Sequence, residues 1–258
     1  MQRGVAQHDY WNITRELTVS AFKLRDQGTF LGFLWTLLQP LAMLSVLYWL
    51  FRGRMGQSIE HFGLYLLVGI VLWTFFATGT SKGLLSLVMR RDLICAVTFP
   101  HELITVSAVL TVLFSSTLEF VVVLGFALAV GAGISWAWLW LPVVLVMEAA
   151  LVIGCALLFA PWYVYARDLD NIWNILLRLG FFLTPIFYLP EQFLAGVEHK
   201  IYMLNPVTQI MIHARAILLH HELPSLGATV YTLTVCLAVL IAGIVNFRYC
   251  TRDLAEHI

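Results

Sequence analysis

The stretch from Phe30 to Phe51, FLGFLWTLLQPLAMLSVLYWLF, decides how the rest of the chain is read. It holds twenty-two residues without a charge, preceded by Lys23, Arg25 and Asp26 and followed by Arg52 and Arg54. At ~1.5 Å per residue such a helix is about 33 Å long, enough to cross the hydrocarbon core of a bilayer with slight tilt. Composition agrees: of 258 residues, 60% are apolar, 14% aromatic and only 12% charged, which excludes an ordinary soluble domain. The formal net charge is zero, so nothing marks a nucleic-acid partner.

Working outward, Tyr10, Ile13, Leu17, Ala21 and Leu24 recur at helical spacing, with charges between them and Asp9 placed to cap the start. An amphipathic helix over 9–26, lying on the membrane surface, is expected before the first span at 30–51. The second run, charge-free from Phe62 to Thr80 and closed by Lys82, gives a span at 62–87. A structured loop at 88–99 follows and is stopped by Pro100. The third span, 103–131, contains Glu119; the fourth, 139–166, contains Glu148; the fifth, 172–189, contains Arg178. Trp136, Trp138 and Trp140 fit the headgroup belt beside span four. Residues 190–222 are too polar to span and too apolar for a linker, so short helices dipping back into the membrane edge are expected there, broken at Asn205-Pro206. The sixth span is 223–247. The expected fold is an all-α polytopic membrane protein of one domain over 1–258.

Basic residues orient it. With the N-terminus cytoplasmic, the inner segments carry Arg3, Arg15, Lys23, Arg25, Arg90, Arg91, Arg167, Arg248 and Arg252, against Arg52, Arg54, Lys200 and Arg215 outside. Both termini are then expected in the cytoplasm. Cys95 and Cys250 fall on the inner side and Cys155 and Cys236 within spans, so no disulfide is expected. The neighbours His220 and His221 point about 100° apart on a helix and have no third ligand near in sequence, so no metal site is expected.

The segments LGFLWTLLQP (31–40), DLICAVTFPHEL (92–103), YARDLDNIW (165–173), FFLTPIFYLPEQF (181–193) and LNPVTQIM (204–211) together resemble the membrane subunit of ABC-2 type exporters of lipid-linked polysaccharide. The resemblance covers the chain from about residue 10 to its end. It implies a homodimer of this chain with two copies of a separate ATP-binding cassette subunit in the bacterial inner membrane, moving O-antigen or, alternatively, capsular polysaccharide or teichoic acid outward. It also implies a transport subunit rather than an enzyme, with ATP and Mg on the partner and no cofactor on this chain. The chain contains no G-x-x-x-x-G-K-[ST] loop, as that division of labour requires. By the same resemblance 9–26 is an interface helix, 88–99 the coupling helix and 190–222 periplasmic re-entrant gate helices between spans five and six, while spans one and five line the channel.

The residues themselves offer a lining. Trp35, Gln39 and Trp49 share a face of span one with Ala42 and Val46, and Asn174, Phe181 and Tyr188 share one of span five with Arg178 and Pro185. Aromatic rings pack on the C–H faces of sugars and polar groups bond hydroxyls, so these faces suit a glycan path; they suit helix packing equally. Glu119, Glu148 and Arg178 stand about 18, 14 and 17 Å below the outer ends of their spans. At one level, and unable to remain alone without a cost of several kcal/mol, they are expected to form a Glu–Arg pair that fixes helix packing, a proton or substrate site being the other reading. In the coupling segment Arg90, Arg91 and Asp92 offer polar contacts, and Leu93, Ile94 and Phe99 with Val97 offer an apolar side for a partner. A membrane-embedded transferase would want a His or Asp cluster at one face, where the histidines here are scattered; a proton-driven carrier would bring an internal repeat, and none is visible.

Overall fold

The computed structural model describes residues 12–20, 34–55, 59–96, 99–189 and 202–250, and every regular element among them is helical. In chain order these are α1 (12–20), α2 (Leu34–Met55), α3 (Phe62–Met89), α4 (Arg91–Ala96) and α5 (Glu102–Val130). A 3-10 turn (Trp136–Trp140), α6 (Leu141–Tyr165), α7 (Leu169–Leu183), α8 (Pro206–Leu219) and α9 (Leu226–Cys250) follow. The ends of the interface helix, the start of the first span, Val97 and residues 190–201 of the gate segment lie outside the described residues.

Among the described residues, five helices are long and apolar enough to cross a membrane: α2, α3, α5, α6 with its leading 3-10 turn, and α9. They carry five of the six expected spans, with ends shifted by a few residues. The expected fifth span, 172–189, differs. Its helix, α7, has fifteen residues and is about 22 Å long, short of a hydrocarbon core of ~30 Å. Thr184 adopts φ −93° and ψ 143°, because the ring of the following Pro185 crowds the helical conformation, and Thr184 to Leu189 then bend without helix.

α3 is the axis of the bundle. Leu64 to Trp73 are all buried, enclosed chiefly by α2, α5 and α6. α9 lies against α6, and the crossing is close because glycines meet: a Cβ on Gly243 would strike the Gly154 carbonyl, and one on Gly154 would lie 2.7 Å from the Leu240 nitrogen. α5 closes with Gly131 at φ 83°, and the Gly131 and Ala132 N–H groups donate to Leu128 and Ala127 in the 5→2, 6→1 pattern of a Schellman stop.

At one end, Leu87, Ile104, Leu157, Ala160 and Phe247 form a small core shared by α3, α5, α6 and α9, and Arg248 pairs with Glu102 at 3.4 Å. α4 sits at this end. At the other, the 3-10 turn exposes Trp136 and Trp140, and α8 is buried against α3, α6 and α9, started by Asn205, whose Oδ1 accepts the Val207 N–H at 3.0 Å.

Candidate functional site

A groove runs between α2, α3 and α7, and the sequence of α7 explains its orientation. Ile172, Ile175, Leu176, Leu179 and Leu183 are exposed on its outer side, as suits a helix that faces lipid. Asn174, Leu177, Arg178 and Phe181 turn toward α3 and, with the exposed Phe182 at the rim, line a cavity of about 640 Å³ with Trp73, Thr78, Ser81 and Lys82 of α3. A second cavity of about 980 Å³ follows α2 from Trp35 to Val46 and shares Met43 and Phe181 with the first. A third, about 160 Å³, reaches inward among Thr36, Gln39, Thr74, Ser115, Ser116 and Glu119; it shares Gln39 and Thr74 with the second, and Thr78 and Lys82 with the first. The shared residues set the three side by side along one aromatic and polar face.

Of the six residues expected to line a path, Trp35 and Gln39 line the second cavity, Asn174 the first, and Phe181 both. Trp49 does not: it is 82% exposed and lines none of the three. Tyr188 fastens the bend instead, its hydroxyl donating to the Phe182 and Leu183 carbonyls at 3.2 and 3.1 Å while receiving the Tyr202 hydroxyl at 3.1 Å. Burial and the bond to Tyr188 raise the Tyr202 phenol above its ordinary range, so it stays a donor.

The expected Glu–Arg pair is absent from the described residues. Arg178 is not a buried charge: it is exposed into the groove. Glu148 is 1% exposed with neither carboxylate oxygen bonded, because α6 packs between α3 and α9 rather than facing α7's inward side. Glu119, 7% exposed, faces the cavity that Lys82 also lines. Equal depth along separate helices does not imply a shared face.

Arg215 is the residue that sequence reasoning misplaced, since it was counted among outside loop charges. It is 5% exposed on α8. Nη1 donates to the Pro185 carbonyl at 2.6 Å, Nη2 to those of Ile186 and Tyr65 at 3.0 and 3.1 Å, and Nε to Tyr65 at 3.3 Å. Its guanidinium carbon stands 3.4 Å from the centre of the Tyr65 ring, whose hydroxyl donates to the Tyr188 carbonyl at 2.7 Å. Arg215 thereby supplies donors to carbonyls that the break at Pro185 releases, and clasps the end of α7 onto α3. Gly69 makes the room, since a Cβ there would lie 2.7 Å from Nη2 and 3.3 Å from the Ile186 backbone. The available signal was an arginine in TQIMIHARAILL with no acid nearby, one helix after Thr184-Pro185.

In the coupling segment Arg91 and Asp92 are exposed, while Leu93 and Ile94 are half-buried. Ile94 and Phe99 pack on the core of Leu87, Ile104, Leu157, Ala160 and Phe247, and Leu93 lines a cleft with Leu17, Met89 and Arg90. Ile94 and Phe99 thus rest in part on the chain's own bundle, while Leu93 faces the cleft and the charged side is open. His101, at the joint with α5, is held below its ordinary pKa by burial, against the opposing pull of Glu102.

A groove of aromatic and polar residues inside a bundle of apolar helices is the property of a membrane transport subunit. Residues 14–219 match the ABC-2 type transporter family, and the chain belongs to that family of multi-pass membrane permeases, which work with an ATP-binding subunit. It is 31% identical over 253 residues to the O-antigen export system permease protein RfbA of Myxococcus xanthus, covering 97% of each chain. An O-antigen export system permease protein RfbA of Klebsiella pneumoniae is 25% identical over 213 residues, 80% of each chain.

Proposed function

We propose that the chain is the permease half of an ATP-driven exporter that moves lipid-linked polysaccharide, O-antigen before capsular polysaccharide or teichoic acid, from cytoplasm to periplasm. The observation that carries this reading is the pair of neighbouring cavities along α2, α3 and α7, where Trp35, Trp73 and Phe181 alternate with Gln39, Thr78 and Asn174. Rings and hydrogen-bonding groups along one face pass a sugar chain without a single tight site. The names of the relatives support the substrate.

In this reading two copies of the chain assemble with two ATP-binding subunits in the inner membrane, and hydrolysis takes place on those subunits. The α4 end is cytoplasmic, with both termini. Removing Arg215 from the outside set, because it is buried, strengthens the basic asymmetry that favours this orientation. α7 and its bent tail complete a sixth crossing, α8 re-enters from the periplasmic side, and α4 receives the ATPase through Arg91 and Asp92.

The test is complementation. The chain, with the ATPase encoded beside it, is expressed in a Gram-negative strain that synthesises a chosen O-antigen but lacks its own permease. Return of long-chain lipopolysaccharide at the surface is expected. Continued intracellular accumulation, with the chain inserted and bound to its ATPase, would count against O-antigen and shift the substrate to another glycan.

A further inference from the structure

The cleft that Leu93 faces is not part of the groove: none of its lining residues belongs to α2 or α7, and only Lys82 lines both. It has a volume of about 260 Å³ and lies between Leu17 of α1, Leu85 and Met89 of α3, Leu93 of α4, and Ile104 and Ala108 of α5. Three hydroxyls also line it, and each is already bonded within its own helix. Ser86 donates to the Gly83 carbonyl at 2.6 Å, Ser107 to that of Ile104 at 2.8 Å and Thr111 to that of Ser107 at 2.8 Å. Each hydroxyl has one proton to give, so the walls offer a guest mostly apolar surface. The extent of the cleft along α5 is also telling. Thr111 is nine residues from the Glu102 start, about 14 Å, which is one leaflet of a hydrocarbon core ~30 Å thick.

Charge enters at one end. Arg90, at the close of α3, lines the cleft at the level where α5 begins, and no acceptor among the described residues bonds its guanidinium. Lys82 stands deeper and also lines the cavity of Glu119, so it is left out of the site. Glu16 and Asp92, the acids beside Leu17 and Leu93 in sequence, are exposed and do not line the cleft.

We propose that this cleft holds an anionic phospholipid of the adjoining leaflet, with an acyl chain between α1, α3 and α5 and the phosphate on Arg90. An acyl chain suits walls whose hydroxyls are spent, and a slot one leaflet deep with a cation at its head-group end matches the shape of the molecule. A guanidinium takes two phosphate oxygens in parallel. Arg91 is exposed next to it, so the ammonium of phosphatidylethanolamine is opposed and a head of net negative charge is preferred. Because Leu17 and Leu93 both line the cleft, the lipid seats α1 and α4 against the bundle, and it sets how firmly a push on α4 reaches α5. The inference takes from the exporter reading only that α4 lies on the cytoplasmic side and receives the ATPase.

The test is native mass spectrometry of the purified permease–ATPase complex, delipidated and then given equal amounts of phosphatidylglycerol and phosphatidylethanolamine. The tightest adduct is expected to be phosphatidylglycerol, favoured by about tenfold, the worth of one charge-assisted hydrogen bond. Arg90→Gln should erase that preference while a lipid still binds, and Arg90→Lys should keep most of it. Ala108→Phe fills the cleft from α5 and should remove the tight adduct whichever head it carries; where that variant does not assemble, Leu17→Trp fills the same cleft from α1. Equal retention of the two lipids by wild type, or an unchanged preference in Arg90→Gln, overturns the site. So does displacement of the adduct by farnesyl phosphate at equal concentration, which makes the cleft a seat for a prenyl chain instead. Adduct counts need no export, so the surface-lipopolysaccharide assay and the lipid site can fail independently.

Discussion

The middle of α7 and its end treat an arginine in opposite ways. At the end, Arg215 reaches in from α8 and spends its guanidinium on the carbonyls of Tyr65, Pro185 and Ile186. In the middle, Arg178 lines a cavity with no protein acceptor among the described residues. Within apolar surroundings a cation must be satisfied by the fold or by something that visits. The first arginine holds the groove's wall in place; the second stands open in the groove.

The largest expected effect breaks that contrast at the clasp. Arg215→Ala takes the arginine donors from the non-helical Pro185 and Ile186 carbonyls, at about 1–3 kcal/mol for each buried group left unsatisfied, so the yield of monodisperse protein and its melting temperature should fall steeply. Arg178→Ala should leave both near wild type while lowering export. Equal loss of folded protein from both variants would erase the distinction between a structural and a working arginine.

A smaller effect is expected at Gly69, where a methyl must displace either Nη2 of Arg215 or the Ile186 backbone. Gly69→Ala should destabilise by about 1–3 kcal/mol through overpacking, read as a lower melting temperature in detergent. In an Arg215→Ala background the same change should cost much less, since the clash has lost one partner. Full additivity would show that Gly69 does not serve the clasp.

Smaller again is the tie between α7 and α3 at the other end, where the Trp173 indole donates to Thr80 Oγ1 at 3.1 Å and its ring lies 4.7 Å from that of Phe159. Thr80→Val removes the acceptor and should cost about 1 kcal/mol. A thermal shift as large as that of Gly69→Ala would mean that the two ends of α7 are held equally, and that the clasp is not the dominant anchor.

How much of this was readable in advance follows from the range of each interaction. Charge-free length is a local property, so α2, α3, α5, α6 and α9 stand close to where the apolar runs place them. The break in α7 was local too, in Thr184-Pro185, but the apolar composition continues to Leu189 and concealed it. Arg215 was not readable because its acceptors are backbone carbonyls 29, 30 and 150 residues away, and a carbonyl leaves no trace in residue identity. The groove residues Trp35, Gln39, Asn174 and Phe181 were found from helical periodicity. Tyr188 lies beyond the end of α7, where helical periodicity no longer sets the direction of a side chain.

Glu148 gives the comparison its sharpest and smallest test. Like Arg178 it is ionisable and unbonded, yet it is 1% exposed and lines none of the three cavities, so nothing that visits the groove reaches it. If lack of a partner alone marked a working residue, Glu148 would be one; if access is also required, it is a packing residue of α6. Glu148→Gln preserves the shape and removes no hydrogen bond, so stability should change by less than about 1 kcal/mol, and Glu148→Leu should be neutral or stabilising, because an unsatisfied polar group leaves the interior. Export should match wild type in both. Melting temperature and surface lipopolysaccharide, measured on the same preparations, decide it: normal folding with lost export in Glu148→Gln would show that a sealed carboxyl takes part in transport, and that access to the groove is the wrong criterion for Arg178 as well.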